Sequence, residues 1–313
     1  MKTKIFIDGS EGTTGLRIHE RISVRDDIEL LTIDPEKRKD PEERKKLINA
    51  SDITFLCLPD AAAVEAVAMA EGKVRIIDAS TAHRTLPGWN YGFPELSPAF
   101  REGIKNGSRV AVPGCHASGF IACVYPLIKS GMMAADYPVS AFSLTGYSGG
   151  GKKMIAQYES EERSVLLDAP RGYAMSQQHK HLKEMKAIPG LTAEPLFTPI
   201  VSDYYSGMVV SVPLYTAMLS GKPGVKDVWE LFNGYYTDGL VQTAPFGAEA
   251  EDGGFMAGNK LSGWDGMKIY VTGNDDRVMV NAVFDNLGKG ASGTAIQCFN
   301  IMTGAPEGYG LNL

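Results

Sequence analysis

The sequence predicts an α/β chain: a doubly wound parallel sheet, then a second α+β domain of mostly antiparallel sheet. Three observations predict it. Over roughly the first 115 residues, short apolar runs alternate with helix-like segments, the signature of parallel strands joined by crossover helices. A glycine-rich turn separates the first run from the first helix. From about Pro138 the apolar runs lengthen, and a polar Asn274-Asp275-Asp276 step between two of them reads as a hairpin tip. A length of 313 residues suits two domains better than one. The expected boundaries are 1–114 and 115–289, with a C-terminal helical segment of about 290–313 packing back onto the first domain.

Taken in order, Lys4–Asp8 is an apolar strand, Thr14–Val24 a helix and Ile28–Ile33 a second strand. Pro41–Ile48 is a charged helix with Asp40 as its N-cap. Asp52–Leu58 is almost wholly apolar, as a buried strand requires, and Asp60 is expected to cap an alanine-rich helix through Ala70. Arg75–Ile77 starts a fourth strand. A further apolar strand ends in Pro113-Gly114, and Cys115 opens an apolar helix to about Ile128. In the second half, Val139–Thr145, Phe197–Val201, Gly207–Leu214, Lys268–Val271 and Arg277–Asp285 read as strands, several of them antiparallel, with helices at Val225–Tyr236 and Ala291–Met302.

Composition excludes several function classes. With 44% hydrophobic and 22% charged residues, the chain is neither disordered nor fibrous. A net charge of −6 gives no basic field for nucleic acid or anionic lipid. No apolar run reaches the ~18 residues of a membrane span, and Met1-Lys2-Thr3-Lys4 leads into a strand rather than a signal peptide. Cys57, Cys115, Cys123 and Cys298 are scattered without a CxxC pair, which argues for a reducing, cytoplasmic setting and against disulfides or a structural metal.

Gly9-Ser10-Glu11-Gly12-Thr13-Thr14-Gly15 lies between the first strand and the first helix. Glycines there let the backbone turn tightly and approach a pyrophosphate, held on the free N–H groups at Thr13, Thr14 and Gly15. The GxxGxxG spacing differs from the usual GxGxxG, so position in a strand–turn–helix unit is the better argument for a Rossmann-like, dinucleotide-binding domain. Asp34, ending the second strand, suits the ribose of NAD, whereas Lys37, Arg38 and Lys39 could pair with the 2′-phosphate of NADP. The residues leave that choice open.

Cys115 is the most informative residue. A thiol at a helix N-terminus feels the positive end of the dipole, which favours thiolate, and the same N–H groups can hold an oxyanion. Cys57, Cys123 and Cys298 sit in a buried strand and in helices and read as small core residues. His116 follows Cys115 but diverges from it around the helix, so it reads as lining. His179 and His181, in Gln178-His179-Lys180-His181, share a face if extended, and one of them suits acid/base work with Cys115. No acidic or sulfur residue lies near enough in sequence to make the pair a metal site.

Four segments carry a resemblance: the glycine turn, Val112-Pro113-Gly114-Cys115-His116-Ala117-Ser118-Gly119, Gln178-His179-Lys180-His181, and Leu287-Gly288-Lys289-Gly290-Ala291-Ser292-Gly293-Thr294-Ala295. Together they resemble the semialdehyde dehydrogenase family. With Tyr91-Gly92-Phe93-Pro94-Glu95-Leu96, they are most similar to its shorter members that reduce N-acetyl-γ-glutamyl phosphate in arginine biosynthesis. The resemblance implies NADPH as cofactor, Cys115 as nucleophile and His179 or His181 as the catalytic imidazole. Asn286 and Gly290 join the glycine turn, Asp34, Arg38 and Lys39 as cofactor-binding candidates. The longer form has His-Arg-His followed by Pro-Glu, whereas here His181 is followed by Leu182-Lys183-Glu184.

The chemistry implied is attack of the Cys115 thiolate on an acyl phosphate, release of phosphate, and hydride reduction of the thioester. Arg84 and Lys152 are the candidate cations for phosphate and carboxylate. The partners expected are a small acyl phosphate and further copies of the chain. The competing readings are an aspartate-semialdehyde dehydrogenase, with the same chemistry on aspartyl phosphate, a cysteine hydrolase or acyltransferase without nicotinamide, and a non-catalytic NADP sensor. The last two would leave the glycine turn or the Cys115 setting without a purpose.

Overall fold

A computed structural model describes residues 2–313; Met1, at the head of the N-terminal segment read above, lies outside them. The chain divides into two compact units, one holding residues up to Pro113 with Ala291–Asn312, the other Gly114–Gly290 with Leu313.

In the first unit, β1 (Thr3–Asp8), β2 (Ile28–Leu31), β3 (Ile53–Leu56), β4 (Arg75–Asp78), β5 (Asn90–Tyr91) and β6 (Arg109–Ala111) form one sheet. Its order is β2-β1-β3-β4-β6-β5, and every pairing is parallel. Crossovers include α1 (Thr13–Ser23), α2 (Pro41–Ala50), α3 (Asp60–Met69) and α4 (Pro98–Asn106). A parallel strand covered on both sides must be apolar at successive positions. In β1, Ile5 and Ile7 join Ile18 and Ile22 of α1 and Ile296 and Phe299 of the last helix, Gly293–Thr303. Phe6 points the other way, against Ile48 of α2 and Ala63 and Ala66 of α3. The chain leaves β1 toward β2 on one side and returns to β3 on the other, so the turn after β1 stands where such sheets bind ligands.

The second unit has a seven-stranded sheet of order β11-β12-β13-β10-β7-β9-β8. The strands are β7 (Ser140–Gly146), β8 (Arg171–Gly172), β9 (Leu196–Ser202), β10 (Met208–Tyr215), β11 (Val241–Thr243), β12 (Met267–Gly273) and β13 (Arg277–Phe284). Most pairings are antiparallel, as the sequence predicts for this region. On this sheet lies α5 (Cys115–Lys129), with Gly119 so close to β10 and β13 that a Cβ there would come 2.5 Å from Val210 and 2.8 Å from Phe284. Pro126 inside α5 lacks the N–H that would bond the Ala122 carbonyl; the Tyr236 hydroxyl donates to that oxygen instead, at 2.8 Å. The hairpin tip forms as expected: the Asn274 N–H donates to the Arg277 carbonyl at 2.9 Å, and the Asn274 Oδ1 accepts from the Asp276 N–H at 3.0 Å.

Several expectations need correction. Asp60 is the first residue of α3 rather than its cap; Pro59 holds the cap position, and the Asp60 carboxylate accepts from the Thr81 N–H and hydroxyl. Within the mostly antiparallel sheet, which bears out the expectation, Val139–Thr145 and Phe197–Val201 pair in parallel with each other, because the chain between them crosses over through α6 (Gly151–Tyr158) and α7 (Leu182–Ala187). The last helix starts at Gly293, two residues late, after a wider π turn over Gly288–Ser292. The short elements β5, β8, α6 and α7 escape the sequence reading, since two to eight residues carry little periodicity. No helix among the described residues is long and apolar enough to cross a membrane.

Candidate active site

The glycine turn assigns a different task to each glycine. Gly9 has φ +87, and a Cβ there would overlap the Cys57 carbonyl oxygen; a Cβ at Gly15 would overlap the Gly9 carbonyl oxygen. Both are therefore glycine for the protein's own sake. At Gly12 the nearest atom to an added Cβ is 3.5 Å away, so the fold itself tolerates a side chain there. Gly12 caps α1 with no side-chain hydrogen bond, and the buried Thr13 Oγ1 has no partner. Open space at Gly12, bare N–H groups and an orphaned hydroxyl together fit the pyrophosphate of a dinucleotide. Asp8, just before the turn, is buried and paired with Arg44 at 2.9 Å; burial raises its carboxyl above the ordinary range against the pull of that guanidinium.

On the loop after β2, Asp34, Arg38 and Lys39 are exposed. Asp34 turns one carboxylate oxygen onto its own loop, accepting the Glu36 N–H at 3.0 Å. Arg84 is buried in the same unit and donates to the Val112 carbonyl at 2.9 Å and the Ala79 carbonyl at 3.2 Å. Beside it His83 bonds Asp78 at 2.6 Å and stacks on Trp89.

The second unit opens on Gly114, whose extended backbone (φ −73, ψ 146) makes Cys115 the first residue of α5. The Gly114 N–H donates at 3.2 Å to the buried Glu184 carboxylate on α7. Gly290 passes so close that its Cβ would come 3.0 Å from the Cys115 Cβ. Cys115 and Cys57 are both half-buried, but desolvation, with the nearby Asp78 and Asp8, pushes the Cys57 thiol well above its ordinary range, and burial does the same to Cys123, which disfavours their thiolates.

Three imidazoles cluster in this unit. The ring of His116 lies 5.5 Å from that of His179 and 5.7 Å from that of His181, and the latter two are 4.6 Å apart. Phe197 meets His116 and His179 edge-on. The His181 N–H donates to the His179 Nδ1 at 3.2 Å, so a neutral His179 carries its proton on Nε2. His116 Nδ1 bonds the Ser143 hydroxyl and Nε2 the Tyr173 hydroxyl, each at 2.6 Å. Burial, and the neighbouring His179, pull the His116 pKa down to about 3, so this ring stays neutral and orients its neighbours. Burial, then negative charge on Cys115, push the Tyr173 hydroxyl up, which keeps it a proton-bearing donor.

The structure thus brings Cys115, His179, His181 and Gly290 into one unit, and the glycine turn, Asp34, Arg38, Lys39 and Arg84 into the other. Lys152 is exposed on α6. Asn286 accepts from the Gly207 N–H at 2.8 Å and donates to the Ser148 hydroxyl at 3.0 Å, which ties down the turn Tyr147–Gly150. Sequence reasoning missed Ser143, Tyr173, Glu184 and Phe197. Only Ser143 left a signal: in β7 the core-facing positions Ala141, Ser143 and Thr145 include two hydroxyls where apolar residues would pack. No cluster of three or more His, Cys, Asp or Glu among the described residues is arranged to hold a metal ion.

A family model described as semialdehyde dehydrogenase, dimerisation domain, matches residues 115–286. An N-acetyl-gamma-glutamyl-phosphate reductase 2 from Nostoc sp. is 46% identical, covering 99% of this chain and 99% of its own length. An N-acetyl-gamma-glutamyl-phosphate reductase from Brucella ovis is 44% identical, covering 97% of this chain and all of its own length (100%). Among solved structures, aspartate semialdehyde dehydrogenase II from Vibrio cholerae superposes with a TM-score of 0.74 at 14% identity, over 97% of this chain and 98% of that one. A doubly wound sheet with its glycine turn, joined to a cysteine-bearing α+β unit, makes the protein a two-unit oxidoreductase. The chain belongs to the semialdehyde dehydrogenase family, alongside relatives named for the reduction of N-acetyl-γ-glutamyl phosphate.

Proposed function

We propose that this enzyme reduces N-acetyl-γ-glutamyl phosphate to N-acetylglutamate 5-semialdehyde with release of phosphate, using NADPH, in arginine biosynthesis. The observation that carries the reading is a half-buried Cys115 at the start of α5, in the same compact unit as the paired rings of His179 and His181, in a chain 44–46% identical to relatives named for that reaction. Cys115 Sγ forms a bond to the acyl carbon, and the tetrahedral oxyanion is held by N–H groups at the helix start and by the Nε2–H of His179. The carbon–oxygen bond to phosphate then breaks and leaves a thioester. One proton is consumed overall and departs on phosphate; His181 is assigned its delivery. When bound, a reduced nicotinamide supplies the hydride. The carbon–sulfur bond breaks last, giving the aldehyde and restoring the thiolate. Arg84 and Lys152 are the proposed cations for phosphate and the substrate carboxylate.

Thr13, Gly12 and the α1 N–H groups would hold the cofactor's phosphates. NADPH is preferred in this reading because Asp34 turns a carboxylate oxygen onto its own loop while Arg38 and Lys39 stay exposed for a 2′-phosphate. Replacing Arg38 and Lys39 by Ala should weaken NADPH and leave NADH unchanged. Four free thiols suit a reducing, cytoplasmic setting, and the description of the matching family model as a dimerisation domain favours a homo-oligomer.

The deciding assay runs the reaction backward, from N-acetylglutamate 5-semialdehyde and NADP⁺. Steady turnover should need phosphate or arsenate, and without either only a burst of about one NADPH per site should appear, since phosphate is the group that opens the thioester. Steady reduction without an oxyanion would mean that water opens it, and the enzyme would be a hydrolysing dehydrogenase. Activity with aspartate semialdehyde alone would move the substrate, not the chemistry.

A further inference from the structure

Strand β8 runs antiparallel to β9, pairing Arg171 with Val201 and Gly172 with Ile200, and the Tyr173 N–H donates to the Pro199 carbonyl at 3.1 Å. Two residues farther along that ladder the chain would stand opposite Phe197. It turns away instead. Ala174 (φ 51) and Gln177 (φ 58) both adopt the left-handed conformation that L side chains resist, and the Gln177 N–H closes the turn on the Ala174 carbonyl at 2.9 Å. A turn of this kind persists only when its surroundings over-determine it. Here the Gln177 side chain does so: Nε2 donates to the Phe197 carbonyl at 2.8 Å, and Oε1 accepts from the Phe197 N–H at 2.9 Å. One donor and one acceptor on one residue are what a strand's backbone would have offered. Phe197 in turn sets its ring against His116, at 5.4 Å between centroids, and against His179, at 5.3 Å.

We propose that Gln177 is a positioning residue for the reaction: its carboxamide stands in for the backbone that β8 withdraws, and so fixes both the turn that presents His179 and His181 and the aromatic wall that His179 rests on. The assignment rests on the proposed role of those histidines; the hydrogen-bond substitution itself does not.

Three variants test it. In Gln177→Glu the shape is kept, but a carboxylate cannot donate and faces the Phe197 carbonyl. At pH 8 its kcat should fall about tenfold, as expected for a misplaced catalytic group, with KM for NADPH unchanged. Relative to wild type at each pH, which cancels the titration of His116 and His179 around Phe197, the loss should shrink as pH approaches the glutamic acid range, about 4.3, because a protonated carboxyl again has one donor and one acceptor. Gln177→Asn carries the right group on too short a stem and should show the loss without the pH-dependent recovery. Ala174→Gly relieves the backbone, alters no side-chain hydrogen bond and should keep full kcat. The imidazole NMR resonances of His179 should shift in Gln177→Glu at pH 8 and return on acidification. If wild type fails to turn over the acyl phosphate, the proposed function fails, yet these resonances still report on Gln177. Unchanged resonances, or a loss in Gln177→Glu that is the same at every pH and follows a lowered Tm, would overturn the proposal.

Discussion

Helix α1 begins after Gly12 and helix α5 after Gly114. Both glycines hold an extended backbone (φ −72, ψ 162 and φ −73, ψ 146), neither lends a side-chain cap, and neither first turn contains an acidic residue. The backbone offers the same thing twice: N–H groups at the positive end of a helix. The difference lies in what surrounds them. Around Gly12 the nearest atoms to an added Cβ are backbone carbonyl oxygens at 3.5 and 3.7 Å, and the turn is open. Around Cys115 they crowd in: Glu184 takes the Gly114 N–H, Gly290 lies against Cys115, and a buried chain from Ser143 through His116 to Tyr173 stands in the same unit. In the proposed reading, the open helix start takes the cofactor's phosphates and the furnished one carries the nucleophile.

The largest effect should come from replacing the Cys115 sulfur. Cys115→Ser is expected to lower kcat by at least about 10⁴-fold, because a hydroxyl at that place is a far weaker nucleophile, while NADPH binding measured by fluorescence stays intact. Retained turnover would mean that α5 is only a second binding helix. Next, His181→Asn should lower kcat by about 10²–10⁴-fold and remove one limb of the pH profile, the usual cost of losing a general acid. A variant that changes only KM would shift that role to His179.

The open turn at the first helix is tested by a pair of alanines. Gly12→Ala should leave Tm unchanged, since nothing lies nearer than 3.5 Å to the new Cβ, yet weaken NADPH about tenfold or more by obstructing its phosphates. Gly15→Ala should instead destabilise the fold by about 1–3 kcal/mol, because its Cβ meets the Gly9 carbonyl. Equal behaviour of the two would erase the distinction between structural and binding glycines.

The remaining effect concerns acid stability and leaves activity at neutral pH aside. Burial holds His116 at about 3 in the folded chain against an ordinary 6.5, so between those values the unfolded chain binds a proton that the folded chain refuses. Stability therefore falls as pH drops through that window, by about 1.4 kcal/mol per pH unit for one proton. In His116→Gln, urea titrations should show a shallower fall over the same window, whatever the variant's stability at neutral pH. An unchanged slope would place the acid sensitivity elsewhere.

The two helix starts also differ in how far the sequence reveals them. The glycine turn is local: strand, turn and helix follow one another within 25 residues, and the steric demand on Gly15 comes from Gly9 in the same turn. The furnishing of Cys115 comes from residues 143, 173, 184, 197 and 290, delivered by elements with no shared spacing. The parallel sheet of the first unit was readable because its strands must be apolar on both faces. The pairing of β7 with β9 was not, because direction depends on the long crossover between them and not on either strand's pattern.

Gly119 gives the thiol a hidden dependence. It lies one turn along α5 from Cys115, on the same face, and α5 lies flush on the sheet only because no atom stands between Gly119 and Val210 or Phe284. The height of the Cys115 sulfur is therefore set by a missing methyl group four residues away. A survey that ranks positions by distance to the reacting atom, or by chemical character, would score this glycine as inert. Its mutational tolerance should nonetheless resemble that of an active-site residue, because raising the helix lifts the sulfur with it.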